Sequence, residues 1–188
     1  FVWLKRRNSD AEQMLMHPNI GTGEYYRPSY ASQGRLTRSD VITSLNSNGF
    51  SLGGESITNN NNDTYVAYCW KVNGGTTVSN TDGSTTSTVQ VNADKGISMI
   101  NYGGNGSTAT VGHGLGKVPE LFFMMDRYNG GGWIMWHKSL NGANKYLEMG
   151  TGSESTSSTI WNNTLPTSTV FSLGNVAPPN GSGRAHVC

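Results

Sequence analysis

The chain has 188 residues, a formal net charge of +1 and only 13% charged side chains, with 25 glycines and long Ser/Thr/Asn tracts. So near-neutral a chain lacks the basic face that duplex nucleic acid requires. No apolar run approaches the roughly 20 residues of a membrane-spanning helix, so membrane insertion is not expected. Aromatic residues make up 10% of the chain. That is enough for a core, but a core divided by polar turns.

Phe1 to Leu4 reads as an apolar strand stopped by Lys5-Arg6-Arg7, a solvated strand end or a basic spot for an acidic partner. Asp10 to Gln13 begins a helical turn that Pro18 and Gly21 keep short. Glu24 to Ser32 gathers Tyr25, Tyr26 and Tyr30 around Pro28. Such a cluster is either a recognition surface or the cover of a sheet edge. Thr37 to Leu45 reads as a short helix or a strand, Asn46-Ser47-Asn48-Gly49 as a turn, and Phe50-Ser51-Leu52 as a strand. After a polar turn at 59–63, Thr64 to Trp70 is the clearest early strand, by its β-branched and aromatic content. Thr76 to Asp94, rich in Ser, Thr, Asn and Gly, reads as a linker that lies as an edge strand.

From Lys95 the pattern tightens. Ile97, Met99 and Asn101 fall on one face of a strand, and Ser98, Ile100 and Tyr102 on the other. A Gly-rich turn leads into a short polar strand before Gly112-His113-Gly114-Leu115-Gly116. Pro119 then precedes the apolar run Leu121 to Met125, and Gly130-Gly131-Gly132 separates it from Trp133 to His137. Lys145 to Met149, a Ser/Thr tract at 153–159 and Ile160 to Thr164 follow. Leu165-Pro166 is a turn, and Val170 to Leu173 and Arg184 to Cys188 are closing strands. Many short strands between Gly, Pro and Asn turns favour a β-sandwich over helical or α/β folds.

The chain also matches itself. Arg7 and Arg127 stand 120 residues apart, as do His17 and His137; Phe50 and Phe171 stand 121 apart, and Cys69 and Cys188 119. A near-constant offset marks a repeat. The expected architecture is all-β: two tandem β-sandwich repeats of jelly-roll or lectin-like type, 1–72 and 95–188, joined by 73–94. The first repeat lacks the N-terminal strands of the second, which reads as an excerpt of a longer protein, begun and ended inside strands.

Reaction chemistry is sparse. The twelve carboxylates are scattered, and none form a close alternating pair on one strand, as sandwich-fold glycosidases use. Gly49-Phe50-Ser51-Leu52-Gly53 spells the nucleophile-elbow pattern without the strand before and helix after that an elbow needs. Gly112 to Gly116 is not a phosphate loop, because no helix pattern follows it. His113 reads as a turn residue, and His17 and His137 as equivalent structural residues. No Cys-x-x-Cys or His-x-x-x-His spacing suggests a metal, and each cysteine reads as a small buried hydrophobe. No cofactor is indicated. Four Asn-x-Ser/Thr sequons begin at Asn62, Asn105, Asn162 and Asn180. Trp133, Trp136 and Trp161 have flat faces that stack on sugar rings, the other reading being core and edge packing. With Tyr25, Tyr26 and Tyr30 they are the candidate glycan-binding set.

The words Gly104-Asn105-Gly106-Ser107, Thr110-Val111-Gly112-His113-Gly114-Leu115-Gly116, Pro119-Glu120-Leu121, His137-Lys138-Ser139-Leu140, Trp161-Asn162-Asn163-Thr164 and Pro166 to Gly174 resemble a repeat domain of bacteriophage tail proteins, common in marine and cyanobacterial phages. Phe1 to Lys5, Ser47 to Gly53 and Thr64 to Trp70 are similar to it as well. Met124 to Arg127 and His186-Val187-Cys188 depart from the pattern, and residues 10–36 match it weakly. The resemblance implies a non-catalytic virion protein: a tail-fibre or appendage segment acting as spacer and host-surface adhesion module. Its partners would be other virion proteins and a host surface glycan, in a homo-oligomer such as a trimer. The particle would be extracellular after assembly in the host cytoplasm. The alternatives are a head decoration protein or a glycan-degrading tail enzyme.

Overall fold

The computed structural model describes residues 1–28 and 34–188. The first part of the chain forms β1 (Val2–Arg6), β2 (Gln13–Met16), β3 (Glu24–Tyr25), β4 (Leu36–Thr37), β5 (Ile42–Asn46), β6 (Gly49–Leu52), the one-turn helix α1 (Ser56–Asn59) and β7 (Tyr65–Cys69). Then come β8 (Val78–Asn80), β9 (Ser87–Asn92), β10 (Ile97–Gly103), β11 (Ala109–Gly112), β12 (Leu121–Asp126) and β13 (Gly130–His137). The last four are β14 (Lys145–Glu148), β15 (Glu154–Thr156), β16 (Val170–Leu173) and β17 (Ala185–Val187). The fold is all-β, as the turn-punctuated sequence predicts.

An eight-stranded sheet in the order β15-β14-β13-β12-β17-β10-β9-β8 is the central layer. Every ladder in it is antiparallel. Because side chains alternate along a strand, each of its middle strands feeds two cores. Ile100, Tyr102, Phe122, Met124, Ile134 and Trp136 point to one side, where the β11-β16 pair adds Val111, Phe171 and Leu173. Met99, Met125, Trp133 and Val187 point to the other side and meet Phe1 and Leu15 of the three-stranded sheet β2-β1-β7. That sheet alternates too. Val2, Leu4, Met14 and Met16 face away from the centre, against Tyr25, Val41 and Ile42, with Phe50 and Leu52 of the β5-β6 hairpin closing the stack. Burial on both faces explains why Phe122 to Met125 is apolar without alternation.

Two sequence expectations change and one alternative is decided. Residues 10–12 form no helix, and Gln13 already opens β2. Between 37 and 45, where helix and strand were both open, the chain forms the end of β4, a turn, and β5 paired to β6. Within 73–94, only β8 lies at an edge; β9 is interior, hydrogen-bonded to both β8 and β10.

The positions matched by the sequence offset have matching geometry. β1 pairs with β2 as Val2↔Met16, Trp3↔Leu15 and Leu4↔Met14. β12 pairs with β13 as Phe122↔Trp136, Phe123↔Met135 and Met124↔Ile134, each partner 120 residues on. β7 flanks β1 as β17 flanks β12, with the ladder displaced by two residues. The two strand sets are not separate bodies, since both contribute to the middle core. Surroundings differ at the equivalent arginines. Arg7 is exposed, whereas Arg127 is half-buried, 3.1 Å from Glu24 Oε2 and beside the Tyr128 ring.

Candidate functional site

The five described residues of the candidate glycan set lie in the interior: Tyr25 is 2% exposed, Tyr26 0%, Trp133 2%, Trp136 4% and Trp161 1%. Tyr30 lies outside the described residues. The set is also divided among all three cores. Tyr25 faces the outer one, Tyr26 and Trp133 meet edge to face in the middle one with ring centres 5.6 Å apart, and Trp136 and Trp161 pack in the third. Phe122 is the hub of that third cluster, stacked on Trp136 and Phe171 and edge-on to Trp161 at 5.1–5.4 Å. Trp161 also donates its indole N–H to Lys145 O (2.9 Å). These rings are core rather than surface, because the strands and loops carrying them are covered by further layers.

Among the described residues, the aromatics most open to solvent are Tyr68 (55% exposed), Trp70 (40%) and Tyr128 (54%). Tyr68 and Trp70 are two apart on and just past β7, so they share a face, and their rings stack with centres 6.3 Å apart. Tyr128 lies beneath two guanidinium groups, Arg35 and Arg127, at 4.9 and 5.3 Å. The sequence showed Tyr68 and Trp70 as strand residues. Their spacing of two was the available signal of a common face, but which face is left open depends on the layers above.

Three of the four histidines are turn residues, and His186 lies within β17. His17 Nδ1 accepts from Asn19 N–H, His113 Nδ1 from Leu115 N–H and His137 Nδ1 from Ser139 N–H, each two residues on, at 3.2–3.3 Å. In His17 the proton therefore sits on Nε2, aimed at Cys188 O (3.4 Å). Burial pushes its pKa down to about 4, and burial lowers His113 as well. Ser51 sits on the exposed face of β6, bonded to Asn46 Nδ2 (3.2 Å), in a hairpin and not at an elbow. Carboxylates are bound to cations: Glu24 to Arg35 and Arg127, Glu55 to Arg38, Glu12 to Arg27, Asp63 to Arg6, and the fully buried Asp126 to Arg184. Among the described residues, no three His, Cys, Asp or Glu side chains are grouped as metal ligands. No described helix is long and apolar enough to cross a membrane.

An apolar cleft of about 660 Å³ lies between the central sheet and the three-stranded sheet. Phe1, Trp3 and Trp70 line one side, β10 and β12 the other, and the loop from Leu115 to Glu120 closes one end. Its polar groups are few: the neutral His17 and His113, Ser98, and Lys117 and Glu120 on the closing loop. Such a lining can take up apolar side chains or rings.

Stacked antiparallel sheets around an apolar cleft define an all-β, sandwich-like protein. The chain belongs to the family described as Domain of unknown function (DUF7483), matched over residues 1–188. No curated protein and no solved structure matches it.

Proposed function

We propose that the chain is a non-catalytic structural domain of a phage virion, a spacer in a tail fibre or related appendage built from two copies of one strand set. The observation that carries this reading is how the chemistry is used. Buried rings fill the cores, several carboxylates are held by cations, and three of the four histidines tie turns. The Ser/Thr/Asn/Gly-rich surface and the resemblance of the Gly-His-Gly-Leu-Gly and Phe-Ser-Leu-Gly words to phage tail repeats support the same reading. Adhesion to a host glycan falls to Tyr68 and Trp70, whose stacked rings face water as sugar-binding aromatics must. Antibody raised against the chain and imaged on intact particles is expected to label an appendage. Label on the head would point to a decoration protein, and unlabelled particles would refute the virion role. Binding to host cells should fall when surface glycans are stripped and when Tyr68 is changed to Ala. Equal binding in every case rules out the adhesive role.

A further inference from the structure

Within the central sheet, β17 separates β10 from β12. Val187 stands opposite Asn101 on one side and Met125 on the other. Cys188 extends the first ladder, its N–H and C=O both bonded to Ile100 at 2.9 and 2.8 Å. β10 begins earlier, at Ile97, and β12 at Leu121. These two stretches therefore run on beside each other beyond Cys188. Each is paired on its outer side, to β9 and β13, and among the described residues neither is paired on its inner side. The 660 Å³ cleft lies between them, walled by Ile97, Ser98 and Met99 and by Leu121, Phe122 and Phe123. Flanks held apart by an intervening strand are two interstrand steps, roughly 10 Å, from each other, which is the width that one strand fills.

The backbone of both walls faces inward. Peptide groups alternate sides along a strand. Ile100 turns its N–H and C=O to Cys188, so Ser98, two residues back, turns its own into the cleft. On the other wall Arg127 donates to Ala185 O (2.7 Å), which sets the same side for Met125 and for Phe123. The Ser98 hydroxyl is buried there without a hydrogen-bond partner. At the mouth, Leu121 and Val118 are 50% and 55% exposed.

We propose that this cleft is a strand-accepting groove: it seats one extended apolar-polar-apolar peptide segment, laid past Cys188 in the line of β17, which completes the ladder between β10 and β12. The first strand set indicates its chemistry. Cys69, the counterpart of Cys188, is followed by Trp70, which exchanges both backbone bonds with Phe1 (2.9 and 3.0 Å), and by Lys71 and the buried Val72. An apolar-polar-apolar segment past Cys188 would set its first side chain between Met99 and Phe123, over Trp133, and its third between Ile97 and Leu121. This inference does not depend on the virion role.

The test appends Trp-Lys-Val to Cys188, with Gly-Ser-Gly as the control tail. The first tail is expected to raise the thermal midpoint by about 5 °C. It should also slow hydrogen exchange of the Ser98 and Phe123 amides at least about tenfold. The control tail should do neither. An equal effect of both tails, or unchanged exchange at Ser98 and Phe123, overturns the proposal. An apolar fluorescent dye bound to the original chain should be displaced by the Trp-Lys-Val tail. Undiminished dye binding would make the cleft a small-molecule site and refute the strand.

Discussion

At the scale of single residues, position relative to the layers decides what a side chain does. Trp136 and Trp161 look in sequence like sugar-stacking residues and serve as core, while Tyr68 looks like strand filler and is exposed. Truncating a buried Trp removes its burial energy and leaves a cavity. Trp136→Ala and Trp161→Ala are each expected to cost about 3–5 kcal/mol in urea unfolding, whereas Tyr68→Ala should stay within about 0.5 kcal/mol. His17 predicts a pH dependence. Burial holds its native pKa at about 4, below its ordinary 6.5. Above pH 6.5 the ring is neutral in both states and the full stability is present. As pH falls below that, the unfolded chain takes the proton first and stability drops, levelling near pH 4 where the native ring also protonates. One such ring accounts for roughly 3 kcal/mol. His113 and His186, both lowered chiefly by burial, act in the same direction. Urea midpoints at pH 7.5 and 4.5 should differ less for His17→Gln than for the parent chain.

At the scale of elements, the repeated word Phe-Ser-Leu-Gly has a steric reason. Gly53 N–H bonds Val41 O (3.1 Å), and Gly174 N–H bonds Ile160 O (2.9 Å). A Cβ on Gly53 would stand 2.3 Å from Asp40 O, and one on Gly174 1.6 Å from Thr159 O. Both glycines let a strand end pass against a crossing backbone, which cannot move aside as a flexible side chain can. Gly53→Ala and Gly174→Ala are expected to destabilise by about 1–3 kcal/mol or more, Gly174 the more severely. Gly49→Ala, which meets open space, should be close to neutral. A thermal-shift series on the three variants checks the order. Asn180 shows a similar economy. Its buried amide spans Asn105 N–H (3.0 Å) and Gly174 O (2.9 Å), so this sequon ties loops together and is closed to glycosylation in the folded chain.

At the scale of the whole molecule, the two strand sets are joined through the middle core. Leu15 is fully buried there, in the same cluster as Met125, Trp133 and Val187. Loss of contacts on one side of that core is therefore felt on the other. Leu15→Ala is expected to cost about 2–5 kcal/mol and to shift one common transition, seen alike by tryptophan fluorescence and far-ultraviolet circular dichroism. Two separated transitions would show that the sets fold independently.

The strand content, the turns and the inward alternation of Ile97, Met99, Ile100 and Tyr102 were legible in the order of residues, because a period of two and turn glycines are local properties. The spacing of His17 and His137 and the doubled Phe-Ser-Leu-Gly were legible for the same reason, since the recurrence of a word is read directly from the order of residues. Exposure was not. Tyr25 and Tyr26 are neighbours in a polar stretch, yet they enter different cores, because elements from distant parts of the chain cover each face of the sheet between them. Nor could the cleft be foreseen: β10 and β12 become its walls only when β17, more than 58 residues further on, is laid between them. Burial and binding surfaces arise from layers stacking on layers, and no local pattern records which layer arrives.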